Sequence, residues 1–330
     1  MQDLYFDLNY GKLYEAVESG VCEIFEFENN LGKVRHLFLK RKIPNLINGI
    51  QYYDLATPYG YGGPLMIEVL EENKNVVEEK FEEAFQNYCQ QNNVVSEFVR
   101  FHPLFLNAQD FTKIYDVQHR RYTTGTNLQA HEDPVQAEFS KSTRRNIRNA
   151  IKAGVTVDIS VNPKDLKNFQ EVYYSTMKRN NADSIYYFNN QYFSDCLKLL
   201  GKHVVLTEVN YGSRTIGMGL SFIYNKSIHT HLSGTLEEYH HLSPAYLLQY
   251  ALVVWGKENG YHLIHDGGGR TSDPQDKLFL FKKQFGKNTI FDYFVGHKIW
   301  NKEIYEELCK ATIASEETDF FPAYRTVGAK

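Results

Sequence analysis

The sequence predicts a mixed α/β (α+β) protein with two domains, and three observations support this prediction. The chain has 330 residues and a mass of 38.4 kDa, which exceeds the size at which a single hydrophobic core usually stops growing. Hydrophobic residues make up 42% of the chain and aromatic residues 15%, enough for a packed core. Helical and strand-like patterns alternate along its whole length, without short repeats or long linkers.

Charge and cysteine content exclude several classes of protein. Lysine and arginine number 36 against 40 acidic residues, a formal net charge of -4, so no basic surplus indicates DNA as a partner. The four cysteines form no C-x-x-C pair, which argues against a disulfide framework or a cysteine-based zinc site. The N-terminus has no signal-peptide pattern, and the longest apolar stretch, 251–255, is too short to cross a bilayer. We therefore expect a cytoplasmic protein without a transmembrane segment. Any contact with a membrane is expected to be peripheral.

The first part of the chain alternates strands with one long helix. Strands are predicted at 36–42, 51–56 and 94–101, and turn residues dominate the loop 57–64. The spacing of apolar residues predicts an amphipathic helix over 75–90.

The second part predicts a helix at 140–153 with Gly154 as its left-handed stop, followed by a strand at 155–161. Further helices are predicted at 165–180 and 192–200, and an antiparallel meander at 204–209, 217–224 and 227–232. Ser243-Pro244 predicts the capped start of a buried helix that runs to Glu258. After a strand at 261–265, Asp273-Pro274 is expected to open a short helix that Gly286 ends, with Leu278, Phe281 and Phe285 on its buried face. The remaining residues leave room for one strand and one helix.

Several candidate functional residues emerge from these patterns. Gly267, Gly268 and Gly269 follow a strand without dinucleotide-binding spacing. They could form a tight strand-to-helix turn that needs a positive φ, but three glycines in succession favour close backbone approach to a ligand. Histidine spacing gives no convincing metal site, but His231, near a strand end, is a candidate general base. Basic residues on one side of the helix at 140–153 could contact phosphate groups or form a solvated face; they are Lys141, Arg144, Arg145, Arg148 and Lys152. Lys282 or Lys283 could present a cation to an oxyanion.

Four strings resemble the FemABX peptidyltransferases and their GNAT-like acyltransferase relatives: TPYGYGGP at 57–64, STRRNIRNAIKAG at 142–154, SPAYLL at 243–248, and above all DGGGRTSDPQDKLFLFKKQFG at 266–286. The resemblance implies two GNAT-like domains with central mixed, largely antiparallel sheets flanked by helices. The first would comprise 1–154 plus 291–330, and the second 155–290.

The resemblance also implies a reaction in which an amine attacks an activated acyl group carried by acyl-CoA or aminoacyl-tRNA. The lysine of the family's F-K-x-x-F motif matches Lys282, whose implied role is to stabilise the tetrahedral oxyanion. Asp266, Asp273 and His231 are candidates for the base. Expected substrate contacts come from Tyr59, Tyr61, Arg144, Arg145, Arg148, Ser243, Gly267, Gly268, Arg270 and Lys283.

Two departures from the family bear on the acyl donor. No long heptad run provides the coiled-coil arm of many tRNA-dependent members. CoA-dependent GNAT enzymes usually carry the pattern Q/R-x-x-G-x-G/A before the helix that meets the pyrophosphate, but this chain has HHLSPA at 240–245 in that place. The segment RTIGMG at 214–219 matches the spacing of the pattern, but it lies in an expected hairpin. Only a helix N-terminus remains there as an anion site.

The leading interpretation is an N-acyltransferase, with acyl-CoA as donor, that modifies an amine of a small or lipid-linked cell-envelope sugar or peptide precursor. No metal and no tightly bound cofactor are expected. One alternative is aminoacyl transfer from tRNA to a peptidoglycan precursor. Another is a non-catalytic binder of glycans or nucleotides.

Overall fold

The computed structural model describes residues 3–312 and 320–328. It divides into two compact units, unit 1 with Met1–Leu4 and Arg121–Asp292, and unit 2 with Tyr5–Arg120 and Tyr293–Lys330. Two strands, β6 (Asp116–Asn127) and β12 (Ile290–Ile299), run through the boundaries between these segments. Among the described residues, no helix combines the length and apolar character needed to cross a membrane.

Unit 2 contains a sheet with the strand order β1-β2-β3-β5-β12, in which β3 and β5 are parallel and the other neighbours antiparallel. Its remaining elements are α1 (Leu8–Leu13), β1 (Gly20–Asn29), β2 (Gly32–Lys42), β3 (Tyr53–Ala56), β4 (Leu65–Ile67), α2 (Lys74–Gln91), β5 (Val94–Arg100) and α9 (Lys302–Ala311). Phe81 and Phe85 of α2 pack on Phe38 of β2 and on Trp300 after β12. The predicted helix at 75–90 therefore forms and covers this sheet.

Unit 1 contains a sheet with the order β6-β11-β10-β9-β8-β7, antiparallel except for the pair β10 and β11. Its remaining elements are α3 (Pro134–Glu138), α4 (Lys141–Lys152), β7 (Val155–Val161), α5 (Lys167–Arg179), α6 (Asn190–Leu200), β8 (Val204–Tyr211), β9 (Arg214–Tyr224), β10 (Ser227–Thr235), α7 (Pro244–Glu258), β11 (Leu263–Gly268) and α8 (Lys277–Lys283). The predicted fold class, with mixed and largely antiparallel sheets flanked by helices, is confirmed.

The sheet of unit 1 has two covered faces, and adjacent residues of β9 distinguish them. Ile223 lies in the core cluster with Leu248 and Leu252 of α7. Phe222 instead contacts the ring of His231, which is hydrogen-bonded to Tyr192 of α6. Because successive side chains of a strand point to opposite faces, α7 and α6 lie on opposite sides of the sheet.

The boundary between the units differs from the expected one. The sequence places it between residues 154 and 155, whereas the structure places 121–154 in unit 1. The physical reason is that α4 packs on α7 and β7, with Ile147 and Ala150 in the same core cluster as Leu248.

The sequence predicts the cap of α4 correctly, but not the caps of α7 and α8. The side chain of Ser140 accepts a hydrogen bond from the N–H of Thr143 and caps α4, as predicted, and Gly154 has φ +92°. Ser243 makes no side-chain hydrogen bond to the N–H groups of α7, and it takes a left-handed conformation with φ 55° instead of the extended one typical of a cap. α8 begins at Lys277 rather than at Asp273-Pro274, since the side chain of Asp276 is its cap.

Candidate active site

The end of β11 and the helix α8 bring Lys282 beside a backbone carbonyl. Lys282 Nζ donates a hydrogen bond to the carbonyl oxygen of Gly268, at 2.9 Å. Burial lowers the pKa of Lys282 to about 8, although the Asp266 carboxylate acts to raise it. An ammonium has three N–H donors, so the lysine that contacts Gly268 can also donate to a substrate oxygen.

Asp266 lies on the same β11 end, and its carboxylate is buried. Gln249 Nε2 donates to both carboxylate oxygens, at 2.9 and 3.1 Å, and Thr230 Oγ1 donates to Oδ1 at 3.2 Å. Burial raises the pKa of Asp266 to about 7, while Lys282 and the two hydrogen-bond donors act to lower it. The two groups therefore interact electrostatically, and each has a pKa displaced toward neutrality, as is common for groups that exchange protons in catalysis.

Asp276 fixes the loop that joins β11 to α8. Its carboxylate accepts from the N–H groups of Leu278 and Phe279 at the start of α8, and from Arg270 N, Thr271 N and Thr271 Oγ1 in the loop. Partial burial acts to raise the pKa of Asp276, but these hydrogen bonds outweigh it and lower the pKa to about 2. Asp276 is thus charged at neutral pH and holds the loop to the helix that carries Lys282.

The glycine run is required by the protein's own packing, and the assignment of Gly267 and Gly268 to a substrate contact stays a prediction. Gly267 has φ +71°, at a point where the pairing of β11 with β6 shifts register. A Cβ on Gly268 would lie 2.9 Å from the carbonyl oxygen of Tyr122, and one on Gly269 would lie 2.3 Å from Asp276 Oδ1. The carbonyl oxygen of Gly269 also accepts a hydrogen bond from Arg121.

Two of the three proposed bases lie outside this cluster. His231 projects from the sheet face covered by α6, where its Nε2 is 2.6 Å from the hydroxyl of Tyr192 and burial lowers its pKa to about 3. Thr230, its neighbour in β10, instead contacts Asp266, so the strand directs His231 away from the site. Asp273 is exposed and accepts from the N–H of Gln275. Asp266 is the candidate base that the structure brings together with Lys282.

The other predicted residues in and near α8 differ in how far they are buried. Lys283 follows Lys282 and lies over the ring of Phe279, 5.9 Å from its centroid. Phe279 rather than Leu278 is buried, since Leu278 is 38% exposed. Arg270 is exposed.

The predicted substrate contacts on α4 and before α7 differ in their exposure and hydrogen bonds. Arg144 turns back to the carbonyl oxygens of Phe139 and Gln136, whereas Arg145 and Arg148 are exposed on α4. Ser243 is half-buried before α7. The structure thus gives Arg144 a local packing role, which the stripe pattern did not indicate.

Tyr59 and Tyr61 belong to an aromatic cluster of unit 2. The carbonyl oxygen of Tyr59 accepts a hydrogen bond from Tyr10 at 2.7 Å, and its ring stacks on Tyr14. Tyr61 packs edge-to-face on Tyr5 and Tyr293. Their assignment to an acceptor site stays a prediction.

Four residues of the centre were missed by sequence reasoning. Gln249 had a detectable signal, because it interrupts an apolar helix, PAYLLQYALVVW at 244–255, and a buried amide needs a partner. Asp276 lay within the DPQDK string, but Asp273-Pro274 gave the stronger helix-start signal. Thr230 and Arg121 had no local signal, since their roles depend on strand pairing between distant segments.

A family model matches most of unit 1. Residues 137–276 match a family model described as an acetyltransferase (GNAT) domain. The match includes Asp266 and Asp276 and ends just before α8. Unit 1 thus has a GNAT-like fold.

The similar solved structures extend over almost the whole chain. A FemX crystal structure is 15% identical, with a TM-score of 0.70 over 92% of this chain and 94% of that chain. The C-terminal domain of a putative lysylphosphatidylglycerol synthetase from Agrobacterium fabrum is 14% identical, with a TM-score of 0.56 over 90% of this chain and 88% of that chain. L-PGS from Bacillus licheniformis is also 14% identical, with a TM-score of 0.51 over 90% and 94%. No curated protein sequence matches this chain. The FemABX-like and GNAT-like resemblance is therefore confirmed at the level of the fold.

Proposed function

We propose that this chain is an N-acyltransferase that transfers an acyl group to an amine of a cell-envelope sugar or peptide precursor, with Lys282 and Asp266 as catalytic residues. The observation that carries the proposal is that half-buried Lys282 of α8 is hydrogen-bonded to Gly268 at the end of β11, near the buried Asp266. In this pair the pKa of the lysine is lowered and that of the aspartate is raised. The GNAT-like fold supports acyl transfer by analogy only, so the proposal depends on the groups of the site, a base and a cation.

Asp266 acts as the general base in this reaction. The nitrogen of the acceptor attacks the acyl carbonyl carbon, a C–N bond forms, and the carboxylate of Asp266 takes the proton that the nitrogen loses. A base with a pKa of about 7 is half deprotonated near neutral pH and still binds a proton strongly enough to remove it from the attacking amine.

Lys282 stabilises the negative charge of the tetrahedral intermediate. The ammonium is held in place by Gly268 and is partly desolvated, so its electrostatic interaction with an oxyanion is stronger than in water. When the intermediate collapses, the bond from the acyl carbon to the donor breaks, and the donor leaves as a thiolate of CoA or, with the proton that Asp266 took from the amine, as the ribose hydroxyl of a tRNA. No tightly bound cofactor enters these steps.

We propose acyl-CoA as the donor and the cytoplasm as the location of the protein. A second candidate is aminoacyl-tRNA, and the specific observation that favours it is the similarity to FemX and to two lysylphosphatidylglycerol synthetase structures, since the latter name describes an aminoacylated lipid. Thermal melting of the protein with acetyl-CoA, free CoA and a charged tRNA separates the donors, because a ligand of the native state raises the melting temperature. A rise with CoA species supports the first donor, and a rise with charged tRNA alone supports the second.

Replacement of the lysine tests the mechanism. In Lys282→Met the cation is lost while the length of the side chain is retained, and we expect kcat for transfer from the identified donor to fall about 100-fold or more. Lys277→Met, on the exposed side of the same helix, is the matched control. Full activity of a folded Lys282→Met protein would overturn the mechanism. Failure of every donor to bind would favour a non-catalytic binder instead.

A further inference from the structure

The helix α4 carries a straight line of cations on its solvent side. Lys141, Arg145, Arg148 and Lys152 are spaced by four, three and four residues, so they fall within an arc of about 60° on a helix with 100° per residue. The line is about 17 Å long, from 1.5 Å per residue. The buried residues Thr143, Ile147 and Ala150 lie on the opposite side of the helix.

This line of charge is not neutralised by the protein. Within residues 3–312 and 320–328, no acidic side chain forms an ion pair with any of these four cations, and all four are exposed. The sequence of α4, KSTRRNIRNAIK, contains five basic and no acidic residues, although the chain as a whole has a net charge of -4. A strongly basic helix on an acidic protein creates an electrostatic asymmetry that orients the protein toward an anionic surface.

Apolar and aromatic side chains are exposed at the C-terminal end of the line. Ile151 is 46% exposed on α4, and Tyr211 is 41% exposed where β8 pairs with Val155, the first residue after the turn that ends α4. Tyr211 contacts the ring of Tyr239, over which the guanidinium of Arg214 lies. Cations next to exposed isoleucine and tyrosine side chains are typical of surfaces at the membrane–water interface.

We propose that α4, together with Tyr211, binds the surface of an anionic lipid bilayer; Arg214 is left out because it forms an ion pair with Glu238 at 3.3 Å. The cations would contact lipid phosphates, and Ile151 and Tyr211 would enter the headgroup region. An RNA backbone could also pair with a line of cations, but it would give no role to exposed Ile151. This binding does not depend on the proposed acyl transfer.

The surface is connected to the helix that carries Lys282. The N–H of Ser140, the cap of α4, donates to the carbonyl oxygen of Gln284 at 2.8 Å, and Thr143 Oγ1 donates to the side chain of Gln284 at 3.3 Å. Gln284 is the C-cap of α8. A protein bound to a bilayer through α4 would therefore hold α8 at a fixed position relative to that surface.

Sedimentation with lipid vesicles tests the proposal on the full chain. We expect the protein to bind vesicles made of equal amounts of phosphatidylglycerol and phosphatidylcholine, not vesicles of phosphatidylcholine alone, with affinity that falls as salt rises. The triple variant Arg145→Gln, Arg148→Gln, Lys152→Gln should bind about 100-fold more weakly, because each cation near a bilayer contributes roughly a fivefold effect. The control Lys164→Gln, Lys167→Gln, Lys202→Gln removes the same charge from exposed positions elsewhere in unit 1 and should bind like the unchanged protein.

Two results would overturn the proposal. Equal loss of binding in both triple variants would mean that net charge, and not this surface, controls association. Binding of tRNA through the same three cations, without vesicle binding, would assign the surface to RNA. Ile151→Ser distinguishes these partners further, since it should weaken vesicle binding severalfold and leave RNA binding unchanged. None of these measurements uses catalytic activity, so they remain informative if the acyl-transfer proposal fails.

Discussion

At the scale of single residues, the ionisation of two coupled side chains sets the pH range in which the proposed chemistry operates. Asp266 must be deprotonated to act as a base, so activity rises as the pH increases through its pKa of about 7. Lys282 must be protonated to stabilise an oxyanion, so activity falls as the pH increases through its pKa of about 8. We expect a narrow bell-shaped profile of kcat/KM, whose two limbs belong to the pair rather than to either residue.

Gln249 offers a way to move one limb of this profile. Its hydrogen bonds to Asp266 favour the charged carboxylate and lower its pKa. In Gln249→Met these bonds are lost, and we expect the acidic limb of kcat/KM to move upward by about one to two pH units, since a hydrogen bond to a charged group contributes about 1.5–3 kcal/mol. The measurement is kcat/KM as a function of pH for the variant and the unchanged enzyme.

Leu248→Met is the matched control for this change. It alters the neighbouring core residue of α7 by a substitution of similar volume and leaves the hydrogen bonds to Asp266 in place. A loss of activity in Gln249→Met without displacement of the acidic limb would show that Gln249 supports the helix packing and does not position Asp266.

At the scale of secondary-structure elements, α8 is short and depends on its cap. A helix of seven residues has little intrinsic stability, and Asp276 satisfies two of its N-terminal N–H groups as well as the loop that precedes it. The position of Lys282 is therefore defined by contacts at both ends of the loop, at Asp276 and at Gly268.

Removal of the cap should affect stability and catalysis together. We expect Asp276→Ala to lower the free energy of unfolding by about 1–2 kcal/mol and to lower kcat more than it raises KM, because Lys282 loses its fixed position. Urea unfolding and steady-state kinetics measure the two effects. Asp273→Ala is the control, since Asp273 is exposed and accepts one local backbone hydrogen bond; an equal effect in both variants would contradict a specific role for Asp276.

The difference between α8 and α4 explains which elements could be predicted from the sequence. The bounds of α4 and β7 followed from apolar periodicity over complete turns or alternations and from the signals at Ser140 and Gly154. In α8 the periodicity extends over only two turns, so the buried position, Phe279, was assigned incorrectly to Leu278.

The candidate site was predictable where local sequence carried the information. The string at 266–286 indicated Lys282 and Asp266 as candidates, and their catalytic roles stay predictions. The contribution of Thr230 depends on the pairing of β10 with β11, and that of Arg121 on the pairing of β6 with β11. Register between strands separated by many residues depends on tertiary packing, which no local pattern could supply.

At the scale of the whole molecule, unit 2 is assembled from two segments that are distant in sequence. Tyr324 lies in a core cluster with Val95, Ile304 and Leu308. The completely buried carboxylate of Asp54 accepts hydrogen bonds from Arg41 Nε, at 2.8 Å, and from Arg325 Nε. The C-terminal segment thus supplies both apolar and charged partners to strands formed near the start of the chain.

Arg325 tests this dependence of unit 2 on its C-terminal segment. In Arg325→Met, one charged hydrogen bond to a buried carboxylate is lost, and we expect the free energy of unfolding of unit 2 to fall by about 2 kcal/mol. Amide hydrogen exchange should become faster for β3, β5 and α9, whereas protection in β8 and β9 of unit 1 should be unchanged, because each unit has its own core. Lys310→Met, an exposed change on α9, should alter stability by less than about 0.5 kcal/mol. Equal acceleration in both units would instead mean that the two cores unfold as one cooperative structure.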